Sequence, residues 1–532
     1  MLRLKLWLVS LFILGIGSTY AQVPLHDKMW IHGASEVIKM YFEKDSIKKD
    51  YFLDTTWSGW NIQYRWVGHS NICDSSGALQ FSFDGGDIIT RENKFMEGGD
   101  KMVPEGFYKR YNGFGGYSQS SIILPLQGKK YMVLIATTSD AQMEAWYRAT
   151  NNDSAFFDLL LYGIVDMDAN GGLGRVTSRH VIMDNAYMGL TNMMACRHAN
   201  GRDWWLLKRL HYQNCFYTYL ITADAEVIDY GKQWFPLVAK SYDWDSDGQC
   251  MFNAEGTQFA SVVGHRGTVN LFDFNRCTGQ LSNQQIIHVP ERSVHTPQDT
   301  ADWEFMTTVG VCFSPNGRFL YVGNKFNIQQ YDLWDSDSAS AWYHVAKLDT
   351  TWDAFQCYSN ICPAPNGKLY VGNWHGLSKQ MSRIDNPNAK GAACGFCPRC
   401  ERFNTAWGSA TNPPVMPNYR LGALPGSPCD TLKPPALVFG VEAVVPNAFS
   451  PNADGLNDAW FILNGAAFEA AGNRFLGVSV YNRWGNEVFN SQDLQFRWDA
   501  TAWSSDTYHY YIRYRTPSGE HKIQKGSVLV VR

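Results

Sequence analysis

The sequence carries little excess of either charge: its 532 residues hold 46 Lys and Arg against 50 Asp and Glu, a formal net charge of −4. That balance disfavours a general nucleic-acid binder or a protein that coats anionic membranes, and no nucleic-acid partner is expected. Helical runs of roughly 10–15 residues are scarce, which argues against an α/β chain built on a parallel sheet. The apolar stretch from Leu6 to Ile16 is shorter than the roughly 20 residues that span a bilayer. Familiar catalytic signatures are missing: there is no Gly-x-Ser-x-Gly elbow, no His-Glu-x-x-His helix and no Gly-Lys-Ser/Thr phosphate loop. A site assembled from distant segments stays open, so whether the chain is an enzyme is left undecided, with catalytic residues unknown.

What is present begins at the N-terminus. Arg3 and Lys5 precede the apolar stretch, and Gly17-Ser18-Thr19-Tyr20-Ala21 supplies the small residues a signal peptidase reads. Residues 1–21 are therefore expected to be a removable secretion signal; no Cys follows the cleavage point to take a lipid. An oxidising destination allows the 12 cysteines to pair, and most are expected to do so. The candidates for disulfides are Cys312, Cys362, Cys394, Cys397, Cys400 and Cys429. The Cys394, Cys397 and Cys400 cluster has metal-like spacing but no assigned fourth ligand, so disulfides are favoured there.

From about Trp60 to Phe403, short β-rich runs alternate with Gly, Asn, Asp and Pro. Ser314-Pro315-Asn316-Gly317 followed by Phe319-Leu320-Tyr321-Val322-Gly323-Asn324 echoes Ala364-Pro365-Asn366-Gly367 followed by Leu369-Tyr370-Val371-Gly372-Asn373, the two Val-Gly-Asn ends lying 49 residues apart. Each Asn-Gly turns the chain into an apolar strand, and weaker versions occur at Asp74 to Phe81 and Asn253 to Ala260. Periods near 50 residues fit radial repetition better than a solenoid, and the expected fold of residues 22–403 is an all-β propeller of about seven blades. Residues 404–440 hold seven prolines and read as an interdomain linker. Beyond them the strand pattern restarts. Tyr508, Tyr510, Ile512 and Tyr514 fall on one face of a strand, which fits a compact immunoglobulin-like β-sandwich over residues 441–532.

The segment Val445-Pro446-Asn447-Ala448-Phe449-Ser450-Pro451-Asn452-Ala453-Asp454-Gly455-Leu456-Asn457-Asp458 is specific, as are Tyr481-Asn482-Arg483-Trp484-Gly485 and Lys525-Gly526. Together they resemble the type B C-terminal sorting domain of the Bacteroidota type IX secretion system, also called the gliding-motility-associated C-terminal domain. Phe449, Pro451, Asn452, Asp454, Gly455, Asn457 and Asp458 match that family's opening motif, whereas Ser450 and Ala453 depart from it. The resemblance implies that the signal carries the chain through the inner membrane into the periplasm. The C-terminal domain then addresses it to the type IX machinery for release or retention on the outer cell surface. The preceding region resembles the propeller-type cargo joined to such domains.

Four oxygen-bearing side chains, Asn452, Asp454, Asn457 and Asp458, crowd one Gly-containing loop. They read as an Asx-type turn, with Ca²⁺ coordination as the alternative. Tyr481, Trp484 and Trp498 read as packing residues of the sandwich. Arg202-Asp203-Trp204-Trp205 joins an Arg to adjacent aromatics that could recognise a glycan or peptide, although packing within a blade is the favoured explanation. Asp166, Asp168, Asp203, Asp243, Asp245 and Asp247, like His180, His198, His211 and His265, are dispersed and read as turn or surface residues. The leading functional expectation is a secreted or surface propeller that binds a protein or carbohydrate. The alternatives are an extracellular glycan lyase or hydrolase and a structural envelope component.

Overall fold

A computed structural model describes residues 24–33, 36–43, 46–53, 68–110, 117–148, 156–211, 213–236, 248–263, 267–290, 308–324, 326–338, 340–348, 358–373, 378–404, 412–424, 426–429, 442–454, 457–470, 473–516 and 521–532. The proposed signal, residues 1–21, lies outside them, as do Asp243, Asp245, Asp247, His265 and Gly455. The described residues are almost entirely β, with short helices at Glu105–Arg110, Asp140–Arg148 and Gly465–Ala470. The chain divides into two compact units, one running essentially to Gly422 and the other from Ala423 to Arg532.

The first unit contains seven consecutive antiparallel sheets among the described residues, two of three strands and five of four, each a meander of strands in chain order. Their first strands are Met29–Gly33, Ser70–Cys73, Ser121–Pro125, Met188–Arg197, Cys250–Phe252, Thr308–Phe313 and Tyr358–Pro363. Each lies against the first strand of the next sheet. These strands are buried almost throughout, with polar residues such as Asn71, Asn192 and Asn360 buried among the apolar ones. The outer strands are half exposed, as in Arg175–Met183, where half-buried and exposed positions mix.

The sequence repeat marks one recurrent turn. Asp74–Gly77, Asn253–Gly256, Ser314–Gly317 and Ala364–Gly367 each join the first and second strands of a sheet. In each, the glycine N–H donates to the carbonyl three residues back, at 2.9 to 3.0 Å. The four glycines have φ between +69° and +92°. A Cβ on Gly317 or Gly367 would meet nothing within 4 Å, so the left-handed backbone, not space, calls for glycine there. The Asn316 and Asn366 side chains accept from the N–H two residues on, at 3.2 and 3.3 Å.

The first and seventh sheets pack together. Trp30 meets Tyr370 edge-on at 5.4 Å, His32 meets Phe403 at 4.8 Å, and Lys49 donates to the Arg402 carbonyl at 2.7 Å. The first strands are also tied by side chains reaching between sheets. Gln119 exchanges two hydrogen bonds of 2.8 Å with the backbone of Cys250. Gln249 accepts from the N–H groups of Val311 and Ile361 and donates to the Ile361 carbonyl. Asn360 donates to Ser118 at 2.6 Å.

The proline-rich stretch departs from the expectation of a linker over 404–440. Residues 412–422 belong to the first unit and pack into it. Tyr419 is buried and its hydroxyl donates to the Ile123 carbonyl at 2.7 Å, Asn418 donates to the Ala254 carbonyl at 2.9 Å, and Arg420 pairs with Asp27 at 3.1 Å. Prolines here set an extended path without backbone donors, which suits a strap bound by side chains rather than by strand pairing. Residues 430–441 lie outside the described residues.

The cysteines also depart from expectation. Cys397 and Cys400 are joined, and Cys429 is disulfide-bonded. Cys312, Cys362 and Cys394, expected to pair, are instead unpaired buried thiols, as are Cys73, Cys196, Cys215 and Cys250. They sit within apolar clusters and behave as small hydrophobes. Burial pushes the Cys196 and Cys250 thiols up to about 12, which keeps them protonated and unreactive.

The second unit holds one five-stranded mixed sheet in the order Ala448–Phe449, His521–Val530, Asp506–Arg515, Arg474–Tyr481, Glu487–Ser491. Its core gathers Phe449, Trp460, Phe468, Trp498, Tyr508, Tyr510, Ile512 and Tyr514. The alternation expected along Thr507 to Thr516 is present: Tyr508, Tyr510, Ile512 and Tyr514 are buried and their neighbours exposed.

Candidate functional site

The motif residues of the second unit build three local structures. In the Asn452–Asp458 loop, the Asp458 carboxylate accepts from the N–H groups of Asn452 and Ala453 at 3.1 and 2.7 Å. Asn452 accepts from the Asp454 N–H and donates to the Asp454 carboxylate. Ala453 and Asn457 have φ of 59° and 54°. These bonds are the Asx-turn pattern. Phe449 is buried in the core beside Trp498, with ring centroids 5.4 Å apart.

Tyr481-Asn482-Arg483-Trp484-Gly485 is the turn of a hairpin. The Asn482 side chain accepts from the N–H groups of Trp484 and Asn486, both at 3.0 Å, and Gly485 has φ +80°. Trp498 is buried, as expected, but Trp484 is 78% exposed and does not pack into the core. Its hairpin holds it outward, with the Arg483 guanidinium 5.5 Å from its ring and Arg483 paired to Asp506 at 3.3 Å. Gly526 faces Tyr510 across the sheet; a Cβ there would lie 2.6 Å from the Tyr510 Cζ. That close approach explains glycine at this position, and Lys525 beside it is exposed.

The Arg202–Trp205 segment does not form an aromatic platform. Trp204 and Trp205 are fully buried, and their indole N–H groups donate to the carbonyls of Pro125 and Arg276, at 3.2 and 2.7 Å. Arg197 stacks on Trp204 at 3.7 Å. Arg202 is half exposed but engaged with Asp203, whose carboxylate also accepts from the Ala223 N–H. Two adjacent tryptophans on a central strand pack into two different apolar clusters, which adjacency in sequence could not reveal. Asp166 accepts from the Asp168 N–H within a turn, and His180 stacks on Tyr162 at 4.9 Å beside a shallow cavity of about 170 Å³.

An aromatic that sequence reading passed over is better placed. Trp334, in the turn after the Asn327–Asp332 strand, is 66% exposed. Beneath it Arg318 and Asp332 form a two-pronged ion pair at 3.0 and 2.8 Å, and the guanidinium lies 5.3 Å from the indole. Asp332 is buried; hydrogen bonds from Arg318 hold its carboxyl below the usual range. Lys390 approaches the same carboxylate at 3.7 Å and lies over Tyr343 at 4.6 Å. A planar apolar surface fixed next to charged hydrogen-bond donors can stack against a sugar ring or an aromatic side chain while satisfying polar groups around it. A Trp inside the turn-rich Asp332-Leu333-Trp334-Asp335 was the available sequence signal.

Among the described residues, no group of three or more His, Cys, Asp or Glu is placed to hold a metal ion, and no helix is long and apolar enough to cross a membrane.

The chain thus holds an all-β unit of sequential meanders and a smaller sheet unit that carries the motif loops. Residues 443–530 match the family described as the CHU_C type IX secretion signal domain. The C-terminal region is therefore a sorting domain of that family, which supports export to the cell surface or medium and interaction with the type IX machinery. No curated protein matches the chain. Among solved structures, a functionally unknown protein from Desulfotomaculum acetoxidans DSM 771 is 11% identical, with a TM-score of 0.39, covering 73% of this chain and 99% of that one. Apo AztD from Citrobacter koseri is 11% identical, with a TM-score of 0.33, covering 72% and 82%. The periplasmic gluconolactonase of Pseudomonas aeruginosa is 13% identical, with a TM-score of 0.30, covering 64% and 93%. Similarities this low assign no activity.

Proposed function

We propose that residues up to Gly422 form a seven-bladed β-propeller that binds an extracellular carbohydrate or protein, and that the C-terminal domain, an immunoglobulin-like sandwich, delivers it. Seven meanders in chain order, first strands side by side, and the first sheet packed on the seventh support the propeller. The observation that carries the binding reading is Trp334, exposed over a rigid Arg318–Asp332 pair. Beside the first strands, by contrast, buried polar side chains are spent on neighbouring sheets, Gln119 on Cys250 and Gln249 on Ile361, which favours a surface contact over a deep reacting chamber.

The test is calorimetric titration of the full secreted chain with soluble extracellular polysaccharides and envelope proteins, alongside an assay for new reducing ends. Saturable binding that Trp334→Ala weakens about tenfold or more, without product, is expected. Release of sugar ends would replace the binder with an enzyme, and unchanged binding by the variant would move the contact elsewhere.

A further inference from the structure

The outward face of the sorting-domain sheet carries a cationic ridge. Residues directly opposite one another in neighbouring strands share a face, and the register sets Arg474 opposite Arg515, Arg513 opposite Ile523 and Tyr511 opposite Lys525. All six side chains are exposed. Like charges placed opposite each other on a sheet cost stability, yet Arg474 and Arg515 are so placed. The described hydrogen bonds of these cations do not go to carboxylates. Arg513 donates to Ser479 at 3.1 Å, and Arg515 to His521 at 3.0 Å. Glu487, opposite Tyr481 on the same face, accepts from Tyr481 and Asn490 and is the acid that acts on Arg513, while Asp506 pairs with Arg483, so cations outnumber acids on this face.

Apolar surface lies among these charges. Ile523 is 63% exposed, and Tyr511 and Leu529 are also exposed on this face. Tyr511 is held edge-on by Tyr481 at 5.7 Å, so it presents a fixed ring. The opposite face of the same strands is the packed core of Tyr508, Tyr510, Ile512 and Tyr514. Apolar anchors ringed by one sign of charge are the composition of a protein-docking surface whose partner carries the opposite sign.

The geometry points to this face, Arg474, Arg513, Arg515 and Lys525 around Tyr511 and Ile523, as the surface by which the sorting domain docks on an acidic protein surface of the type IX export machinery. The inference rests on the sorting-domain reading and adds to it which side of the domain is read and the charge of the reader. Steering by such a ridge accelerates encounter and weakens with salt.

The experiment expresses three forms of the full chain in a type IX-competent bacterium: the natural sequence, the triple variant Arg513→Glu/Arg515→Glu/Lys525→Glu, and the charge-keeping Arg513→Lys/Arg515→Lys/Lys525→Arg. The fraction of each in the medium and on the surface is measured, and the purified proteins are compared by circular dichroism and melting. The expected result is a charge-reversed chain that folds normally but is exported about tenfold less, with export kept by the charge-keeping form. Normal export of the charge-reversed chain overturns the inference while leaving the sorting-domain reading intact. If the natural chain is exported equally well in a strain lacking the machinery, the reading itself falls. Vesicles containing phosphatidylglycerol that bind the natural chain but not the reversed one, with export unchanged, would make the ridge a lipid contact and overturn the docking inference.

Discussion

Replacing Lys208 by Met should make the first unit more stable below neutral pH, and the size of the effect follows from where the lysine sits. Lys208 lies on the Trp204–Leu210 strand and is fully buried, with Nζ donating to the Thr191 carbonyl at 2.6 Å and lying 5.5 Å from the Phe157 ring centre. No carboxylate is among the groups that act on it; burial pushes its ammonium down to about 7 from 10.5. The neighbouring charges are of the wrong sign: His211 is pushed down to about 3 by burial and then by Arg209 and Lys208.

An unfolded lysine titrates near 10.4, so between about pH 7 and 10 the unfolded chain binds more protons than the folded one, and stability rises with pH by up to about 1.4 kcal/mol per pH unit. Below pH 7 both states are protonated and the buried charge costs at most about 5 kcal/mol. Lys208→Met is close in volume and removes that cost, but leaves the Thr191 carbonyl without its donor, a loss of about 1–3 kcal/mol. The variant is therefore expected to be about 2–4 kcal/mol more stable at pH 6, with the advantage vanishing by pH 10. Urea unfolding followed by tryptophan fluorescence at pH 6, 8 and 10 measures this on the transition of the first unit. A variant less stable at pH 6, or a gap that does not close with rising pH, would refute the reasoning.

Gly526→Ala should destabilise the sorting domain by about 1–3 kcal/mol, because the new methyl meets the Tyr510 ring, and differential scanning calorimetry of the full chain should lower one transition only. Tyr419→Phe deletes the hydroxyl that the buried Ile123 carbonyl accepts from and should cost the first unit about 1–2 kcal/mol in urea; no change would mean that residues 412–422 are not a structural strap. A thiol reagent at pH 8 should label none of Cys73, Cys196, Cys215, Cys250, Cys312, Cys362 and Cys394 in the native chain and all seven after denaturation, as read by peptide mass spectrometry.

The sequence by itself determined what is local. A turn that needs a left-handed residue must spell itself with glycine, so Gly77, Gly256, Gly317 and Gly367 marked the first hairpins of four sheets before any coordinates. The period-2 pattern from Tyr508 to Tyr514 foretold which face is core, and the ordered loop motifs from Phe449 to Gly526 named the sorting domain. Only the tertiary structure decided what depends on partners far along the chain. Trp204 and Trp205 become core residues because Pro125 and Arg276 come to meet their N–H groups, and Tyr419 turns a proline-rich stretch into a strap because Ile123 waits for its hydroxyl. Cys312 and Cys362, equivalent in the repeat, stay separate thiols, packed in two different apolar clusters. Trp334 and Trp484 are exposed because their turns point them outward. Residue type and spacing encode turns and faces, whereas burial depends on the three-dimensional arrangement of segments distant in sequence.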